Sequence, residues 1–397
     1  MATKVQLPGI GTTAKGVTLV LAQILPVMAV VSLFPAIPRL MQHFSDVENA
    51  AFLIPMILTV PSLMIALLSP MAGSLADRFG RRPIFVGALA LYSVAGLVPL
   101  VVDDLRLIIF SRILLGIAEG GIITVSTTLI GDYFEKDRFR WVTWVGIAIS
   151  VAGTLLVGVG GYLADISWRG PFSIYIFALP VFVLAYIVID EPAGRGTAEP
   201  GHQTLPFPWK TAPIIGAVTF IASVLYYLEP LHIATMLMDR GVKTATDVGL
   251  IQASTSIAYI LGAIVYRRLE GWSFGKHIGL AGFLIGVGLA IIALSRVPAI
   301  AIGGAAVQQF GSGFVIPALM AWGQSRLPLE QRGRGMGIWA TAFFLGAFVC
   351  PPFVTVLAGF WGLSGTILAL GLVCIVLALI APLLFPLPDS SPSSEMQ

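Results

Sequence analysis

Two ionisable residues lie inside one long apolar run, where a charge is expensive. Arg112 and Glu119 are seven residues apart in SRILLGIAEGG, so on a helix they share one face, about 10 Å apart along the axis. A charge inside a membrane helix marks a transport pathway or a paired site by default. Glu119, balanced between burial and a nearby guanidinium, is a candidate for loading and releasing a proton. The alternative is a structural Arg–Glu pair that fastens this helix to a neighbour, and Gly116 and Gly120 would let that neighbour approach.

A second pair lies in YYLEPLHIATM, where Glu229 and His232 flank Pro230 at positions i and i+3. Proline removes a backbone hydrogen bond and bends a helix, and broken or bent helices line transport cavities. With Tyr226 and Tyr227, this pair is a candidate polar patch that binds substrate or takes a proton. The alternative is a helix end exposed to water, because charged residues soon follow.

Several neutral side chains within apolar runs are candidates for lining a substrate cavity. A glutamine can orient a ligand through both a donor and an acceptor, although hydrogen bonding between helices is an equal alternative. The residues are Gln23, Gln252, Tyr259, Gln308, Gln309 and Trp339.

The sequence carries no sign of catalysis or nucleotide use. The Gly-Gly stretches at Gly120, Gly160 and Gly303 lie in apolar runs and lack the Lys-Ser/Thr of a phosphate-binding loop. The two cysteines, Cys350 and Cys374, also lie in apolar runs, so neither a disulfide framework nor a metal site is expected. We therefore expect a protein that is not an enzyme, has no cofactor or metal, and draws energy from an ion gradient, the substrate's own gradient or a partner chain.

The composition shows which elements must position these residues. The 397 residues are 57% hydrophobic and only 11% charged, whereas soluble proteins are about 25% charged. Long unbroken apolar runs exclude an outer-membrane barrel, whose strands alternate, and the net charge of +3 does not indicate nucleic-acid binding. The runs predict an all-α polytopic membrane protein with twelve spans near 16–38, 50–71, 84–102, 107–130, 141–163, 171–189, 212–236, 247–266, 277–295, 298–323, 336–358 and 362–385.

The polar stretch 190–210 predicts a linker between two six-helix halves, 1–189 and 211–397. The halves are alike where they can be compared, since the loops that begin at Gly73 and Gly262 both carry Arg at the sixth position. Two six-span halves around a central site are the parallel repeat organisation of many secondary transporters.

The distribution of Lys and Arg predicts the orientation in the membrane. Sixteen of the 23 fall in one set of alternate loops and six in the other, which leaves Arg112 inside a span. Cytoplasmic loops carry the excess of positive charge. We therefore expect a multi-pass protein of the inner or plasma membrane, with both termini and the linker in the cytoplasm.

The stretch GSLADRFGRRP closely resembles the signature loop of the major facilitator superfamily, between its second and third spans. The resemblance implies that Gly73 lets two helices approach and that Asp77 lies on the N-terminal dipole of a neighbouring helix. It also implies a charge relay at the cytoplasmic face and a latch between the halves in the outward-open state. The residues of this latch are Gly73, Asp77, Arg78, Gly80, Arg81 and Arg82.

Further stretches resemble the same family. Arg112 and Gly116 match its Arg-x-x-x-Gly motif in the fourth span. AGTLLVGVGGYLAD in the fifth span is similar to the Gly-rich motif of antiporters, but it has Leu156 and Val157 where a Gly-Pro pair is usual. The resemblance implies twelve helices in two pseudo-symmetric halves, and a monomer.

The resulting hypothesis is a secondary active transporter for proton-coupled efflux of small amphipathic or lipophilic compounds by alternating access. Its partners are a small-molecule substrate, protons and membrane lipid, without nucleic acid. The alternative is a proton symporter that imports a small organic anion, with Arg112 as the carboxylate clamp. A non-transporting receptor or channel-like protein is a further alternative, disfavoured by the signature loop and the repeat.

Overall fold

A computed structural model describes residues 10–134, 137–192, 207–269, 271–328 and 331–386. These residues form helices, and no strand occurs among them. The α-helices are α1 (Ile10–Val31), α2 (Ile37–His43), α3 (Ala50–Phe79), α4 (Arg81–Leu97), α5 (Leu105–Tyr133), α6 (Arg138–Ile166), α7 (Ala178–Val188), α8 (Thr211–Asp239), α9 (Ala245–Arg268), α10 (Phe274–Leu294), α11 (Pro298–Ser325) and α12 (Arg332–Leu384). Short 3-10 segments cover Phe34–Ala36, Val98–Leu100 and Gly170–Phe177.

Eleven helical stretches in the described part of the chain are long and apolar enough to cross a membrane. The last of them lies in α12, whose 53 residues would extend about 80 Å, more than twice the hydrocarbon core of a bilayer. Gly362, with φ 69° and ψ 167°, divides α12 between the two last predicted spans. The predicted all-α fold with twelve spans is therefore confirmed.

Local sequence sets where several helices begin. The Asp104 carboxylate accepts hydrogen bonds from the backbone N–H groups of Arg106 and Leu107 at 2.8 and 3.0 Å, which fixes the start of α5. The hydroxyl of Thr244 caps α9 in the same way, and that of Ser273 caps α10. The first predicted span, 16–38, is interrupted, since α1 ends at Val31 and a 3-10 turn separates it from α2.

The described residues divide into two compact units. The first comprises those within Met1–Ala36 and Ile57–His202, and the second those within Ile37–Met56 and Gln203–Gln397. Residues 37–56 thus belong to the second unit, whereas the sequence placed them in the N-terminal half, 1–189. The division into 1–189, 190–210 and 211–397 stays a prediction, and residues 193–206 of the linker lie outside the described residues.

Close helix contacts in both units depend on glycine. In the first unit, a Cβ at Gly116 would lie 2.6 Å from Pro61 Cα, so α5 packs directly on the α3 backbone. In the second unit, a Cβ at Gly262 would lie 2.0 Å from the Phe310 carbonyl oxygen, which brings α9 onto α11. Small residues let helix backbones approach closely. In a membrane this packing is important, because no hydrophobic effect drives the helices together there.

Candidate functional site

Arg112 lies in α5 of the first unit and is fully buried, with 0% exposure. One terminal nitrogen donates to the carbonyl oxygens of Ala95 and Gly96 at 3.1 and 3.2 Å. The guanidinium also lies over the rings of Phe172 and Tyr175, 5.4 and 5.0 Å from their centroids. Arg112 therefore fastens α5 to the end of α4 and to the 3-10 segment before α7.

A proline explains why Arg112 finds an acceptor at this place. Pro99 lacks a backbone N–H, so the carbonyl of Ala95, four residues earlier, has no helical partner. The guanidinium supplies the missing donor. Its interaction with a helix end explains how the membrane interior tolerates this cation.

Glu119 lies two turns further along α5 and is also fully buried, with 0% exposure. Neither carboxyl oxygen has a hydrogen-bond partner among the described residues. Arg112 is close enough to act on it electrostatically, but no ion pair forms between them in this part of the chain. The alternative of a structural Arg–Glu pair is therefore not present as a direct contact.

Two tyrosines that the sequence did not single out complete this cluster. The Tyr92 hydroxyl donates to the Leu25 carbonyl oxygen at 2.6 Å, and the Tyr175 hydroxyl donates to that of Ala29 at 3.0 Å. Both hydroxyls lie within electrostatic range of Arg112 and Glu119. Because each is bound to the α1 backbone, neither stabilises the Glu119 carboxyl group by a hydrogen bond among the described residues.

Gln23 in α1 also belongs to the first unit. Its side-chain amide donates to the Thr127 hydroxyl in α5 at 3.0 Å. Of the two interpretations given for the glutamines, this contact matches hydrogen bonding between helices.

Glu229 lies in α8 of the second unit and is 2% exposed. The Gln309 amide in α11 donates to its Oε2 at 2.6 Å, whereas Oε1 has no partner among the described residues. The interpretation of Glu229 as part of a water-exposed helix end is therefore wrong. His232 is half-buried, and its Nδ1 contacts the Leu228 carbonyl oxygen of the same helix at 2.8 Å, so the structure does not join His232 to Glu229 by a hydrogen bond.

Pro230 organises the polar groups around Glu229. It leaves the Tyr226 carbonyl without a helical donor, and the Gln308 amide donates to that oxygen at 3.4 Å. The Gln252 amide in α9 donates to the carbonyl of Pro230 itself, also at 3.4 Å. Three glutamines from two helices thus converge on one turn of α8.

An aromatic cluster borders this turn. The Phe343 ring lies 5.8 and 5.7 Å from the Tyr226 and Tyr227 rings, and it stacks on Trp339 at 5.5 Å and 13°. Tyr259 of α9 lies 6.5 Å from Tyr226. The structure therefore brings together most of the predicted cavity residues of the second unit, and it adds Phe343, which joins them.

The predicted latch loop lies between α3 and α4 of the first unit. Gly80, with φ 102°, ends α3, and both oxygens of Glu191 accept from the first backbone N–H groups of α4, those of Arg81 and Arg82, at 2.8 and 2.9 Å. Glu191 thus occupies the N-terminus of α4, and the expected position of Asp77 on the dipole of a neighbouring helix stays a prediction. Asp77 is exposed and makes no hydrogen bond with any residue that the structure describes.

The basic residues of the loop have separate partners. Arg81 pairs with Asp132 at the end of α5, and Arg82 donates to the Ile189 and Tyr186 carbonyl oxygens at 2.7 and 3.0 Å. Arg78 is exposed and lies over the neighbouring Phe79 ring. Gly73 would place a Cβ only 3.6 Å from Thr124 Cγ2, an ordinary contact. The loop is thus fixed to α5 and to the end of α7.

The described ranges contain no group of three or more His, Cys, Asp or Glu residues that could hold a metal ion.

The family model of the Major Facilitator Superfamily matches residues 19–276 and 217–395. The chain belongs to the Major Facilitator Superfamily. This confirms the resemblance given by the signature loop and the span count.

Two bacterial members of the superfamily illustrate the relationship. Tetracycline resistance protein, class B, from Escherichia coli is 29% identical over 38% of this chain and 38% of its own length. Multidrug resistance protein 1 from Bacillus subtilis is 27% identical over 53% of this chain and 56% of its own length. The matched stretches thus span about two fifths and just over half of these relatives.

Solved structures of superfamily transporters share the fold over nearly the whole chain. A bacterial homolog of the human lysosomal transporter Spinster has a TM-score of 0.76 at 15% identity and covers 97% of this chain and 100% of its own. At this identity the likeness extends to the fold alone.

Proposed function

We propose that this superfamily member exports small amphipathic or lipophilic compounds in exchange for protons by alternating access. The names of several relatives support efflux, since they include an efflux pump from Dothistroma septosporum and the two resistance proteins described above. Membership of a transporter family implies a small-molecule substrate. Proton coupling and the class of compound are our proposal.

The observation that supports proton coupling is the burial of the Glu119 carboxyl group without a hydrogen-bond donor among the described residues. An ionised carboxylate that is buried without hydrogen-bond donors is strongly disfavoured, and no described residue donates to either oxygen of Glu119. Protonation removes the unstabilised charge, and release of the proton requires water or another charge to reach the site. Proton exchange at Glu119 would therefore be tied to conformations that open this part of α5.

Arg112 would set the electrostatic environment of that exchange. It is held by two carbonyl groups and two rings, so its charge stays in place while the Glu119 proton comes and goes. The import of an organic anion, with Arg112 as a clamp, is not favoured, because the named relatives are efflux and resistance proteins and the guanidinium is fully buried. His232 and Glu229 stay further candidates for proton coupling.

The loop from Gly73 to Pro83 would act as the conformational latch. Its contacts with Glu191 and Asp132 hold the start of α4 in a fixed position, which a latch between the halves requires. The termini are proposed to be cytoplasmic on the charge count, although Lys4, Lys136 and Arg195 lie outside the described residues. We propose that the transporter is a monomer.

The test uses the full chain in proteoliposomes with a panel of amphipathic compounds of differing charge. An imposed pH gradient should drive movement of at least one compound against its own gradient, and a protonophore should stop it. Glu119→Gln should abolish the gradient-driven component, whereas Glu48→Gln, which changes an exposed carboxylate, should not. The proposal is wrong if no compound moves in either direction and Glu119→Gln behaves as the wild type.

A further inference from the structure

An apolar groove of about 190 Å³ lies in the second unit, between α8, α10, α11 and the last segment of α12, which follows Gly362. Its floor is formed by the buried side chains of Ile285, Val315, Cys374 and Ala378. Protein interiors are close-packed and leave few spaces of this size. The side chains of the protein therefore do not complete the packing of these helices at the groove.

The rim of the groove is exposed. Ile221 of α8 and Leu377 and Leu384 of α12 line it and are 49%, 40% and 65% exposed. Both helices belong to the stretches that are long and apolar enough to cross a membrane. The groove thus opens beside apolar side chains of membrane spans, where hydrocarbon can enter it.

The groove provides no hydrogen bond to a ligand from its lining side chains. All of those side chains are hydrocarbon except that of Cys374, and its thiol donates to the Gly282 carbonyl oxygen at 3.2 Å. A polar group placed here would lose its hydrogen bonds to water without replacement. The occupant is therefore hydrocarbon along the length of the groove.

The groove has the depth of one leaflet of a bilayer. Leu225, Ile285 and Cys374, at one end, lie near the middle of α8, of α10 and of the last segment of α12. Phe385, at the other end, directly follows α12. The eleven residues from Cys374 to Phe385 extend about 16 Å, which is close to half of the ~30 Å hydrocarbon core.

The size of the groove selects a single chain. An engineered apolar cavity of about 150 Å³ in another protein binds benzene, so about 190 Å³ admits a slim hydrocarbon. A partner helix, about 10 Å across, is too wide to enter. One flexible acyl chain that runs from the membrane surface towards its middle matches the shape, the depth and the lack of polar groups.

We propose that this groove holds one acyl chain of a bilayer phospholipid, from the leaflet on the side where α8 begins. The chain completes the packing between α8 and the last segment of α12. Because the surrounding lipid is equally apolar, no hydrophobic effect favours the groove, and the chain is held by its additional van der Waals contacts. This lipid site does not depend on proton coupling or on the substrate.

The test uses the full chain in proteoliposomes that contain a trace of phosphatidylcholine with a diazirine at the end of one acyl chain. After illumination, mass spectrometry locates the labelled residues. Ile285, 2% exposed, and Val373, 49% exposed, are both aliphatic and both lie near the middle of their spans.

A chain held in the groove should label Ile285 about threefold or more above Val373, since a few extra atomic contacts of 0.1–0.2 kcal/mol each give a preference of this order. Lipid that only touches the surface should label by exposure, with Val373 above Ile285. That order, or equal labelling of the two residues, overturns the proposal.

A second lipid tests the direction of the chain. With the diazirine next to the glycerol, labelling should move along α10 from Ile285 to Ile278, which also lines the groove but lies within the first two turns of the helix. A chain that runs along the groove requires this shift. Labelling of Ile285 by both lipids contradicts the proposed orientation and with it the match to one leaflet.

A variant that fills the groove provides the control. Ala222 lines the groove and is half-buried, so Ala222→Phe should reduce labelling of Ile285 by the chain-end diazirine at least about threefold, because the ring takes the place of the acyl chain and its contacts. Labelling of Val373 should not change. Ala293→Phe, at a half-buried position near the other end of α10, should leave both residues labelled as in the wild type. Unchanged labelling of Ile285 in Ala222→Phe overturns the proposal, and if this variant does not fold, the wild-type comparison still decides.

Discussion

Glu119 in the first unit and Glu229 in the second are both buried carboxyl groups in membrane helices, yet their surroundings differ. Glu119 has a buried arginine within electrostatic range and no hydrogen-bond donor among the described residues. Glu229 has a neutral amide donor and no ion pair within the described ranges. The first arrangement suits a carboxyl group that gains and loses a proton. The second leaves the carboxyl group with one neutral donor and no compensating positive charge among the described residues.

The two units nevertheless share one device. In each, a proline removes a backbone donor and a long polar side chain from another helix takes the freed carbonyl. Arg112 does so at Ala95, where Pro99 is the cause, and Gln308 does so at Tyr226, where Pro230 is the cause. In both units a proline thus creates the free carbonyl acceptor. The units differ in the side chain that donates to it, which is charged in the first unit and neutral in the second.

The largest effect is expected when that charge is removed from the first unit. Arg112→Met leaves two carbonyl groups without a donor, at about 1 kcal/mol each, and loses the ring contacts, worth a similar amount, so a loss of about 3 kcal/mol is expected. Unfolding of the purified protein in detergent with increasing denaturant measures it. Arg106→Met, at an exposed position of the same helix, should change stability by less than about 0.5 kcal/mol. If the two variants are equally stable, Arg112 does not have the structural role described.

A smaller, symmetric effect is expected at the tightest helix crossings. A Cβ at Gly160 would lie 2.0 Å from the Ser32 carbonyl oxygen, and one at Gly262 would lie 2.0 Å from that of Phe310. Alanine at either position should cost roughly 1–3 kcal/mol by overpacking. Gly146→Ala in α6 and Gly303→Ala in α11 have nothing within 4 Å of the new Cβ and are the matched controls. A loss at only one of the two crossings would show that the units are not packed alike.

The smallest effect concerns the ion pair between Lys15 and Asp190 in the first unit. Burial raises the pKa of Asp190, but the hydrogen bond and the charge of Lys15 outweigh it, so this pKa lies below its usual range. The pair therefore stabilises the fold above about pH 4 and stops doing so as the pH falls through the lowered pKa.

Because Asp190 is more than half exposed, Asp190→Asn should cost well under 1 kcal/mol at neutral pH and nothing in acid. Thermal unfolding at several pH values, with Asp46→Asn at an exposed loop position as the control, measures the difference. A loss that persists in acid would mean that the ion pair is not its cause.

Hydropathy and glycine spacing predicted most of the fold. The apolar runs located the twelve spans, and Gly116 marked a close helix contact, because both properties belong to the residues themselves. That the contact is with α3 was not predicted. The sixth span, predicted at 171–189, lies at Gly170–Val188, but the 3-10 segment Gly170–Phe177 with which it begins was not predicted. Such departures depend on contacts that no single segment encodes.

The sequence predicted several residues of the candidate site but not the side chains that contact them. Arg112, Glu119 and Glu229 stood out because charges are rare in apolar runs. Tyr92, Tyr175 and Phe343 gave no signal, since aromatic residues are ordinary in membrane helices and become informative only once their neighbours are known. Glu191 was assigned to the linker, although its proximity to α4 arises from the packing of α7.

Gly362 joins the last two spans through one residue in the left-handed region, a conformation that glycine adopts at little cost. One residue provides only about 3.5 Å of chain, so the last turn before Gly362 and the first turn after it cannot separate. The segment that carries Trp339 and Phe343 and the final span can change the angle between them only by rotation about this single residue.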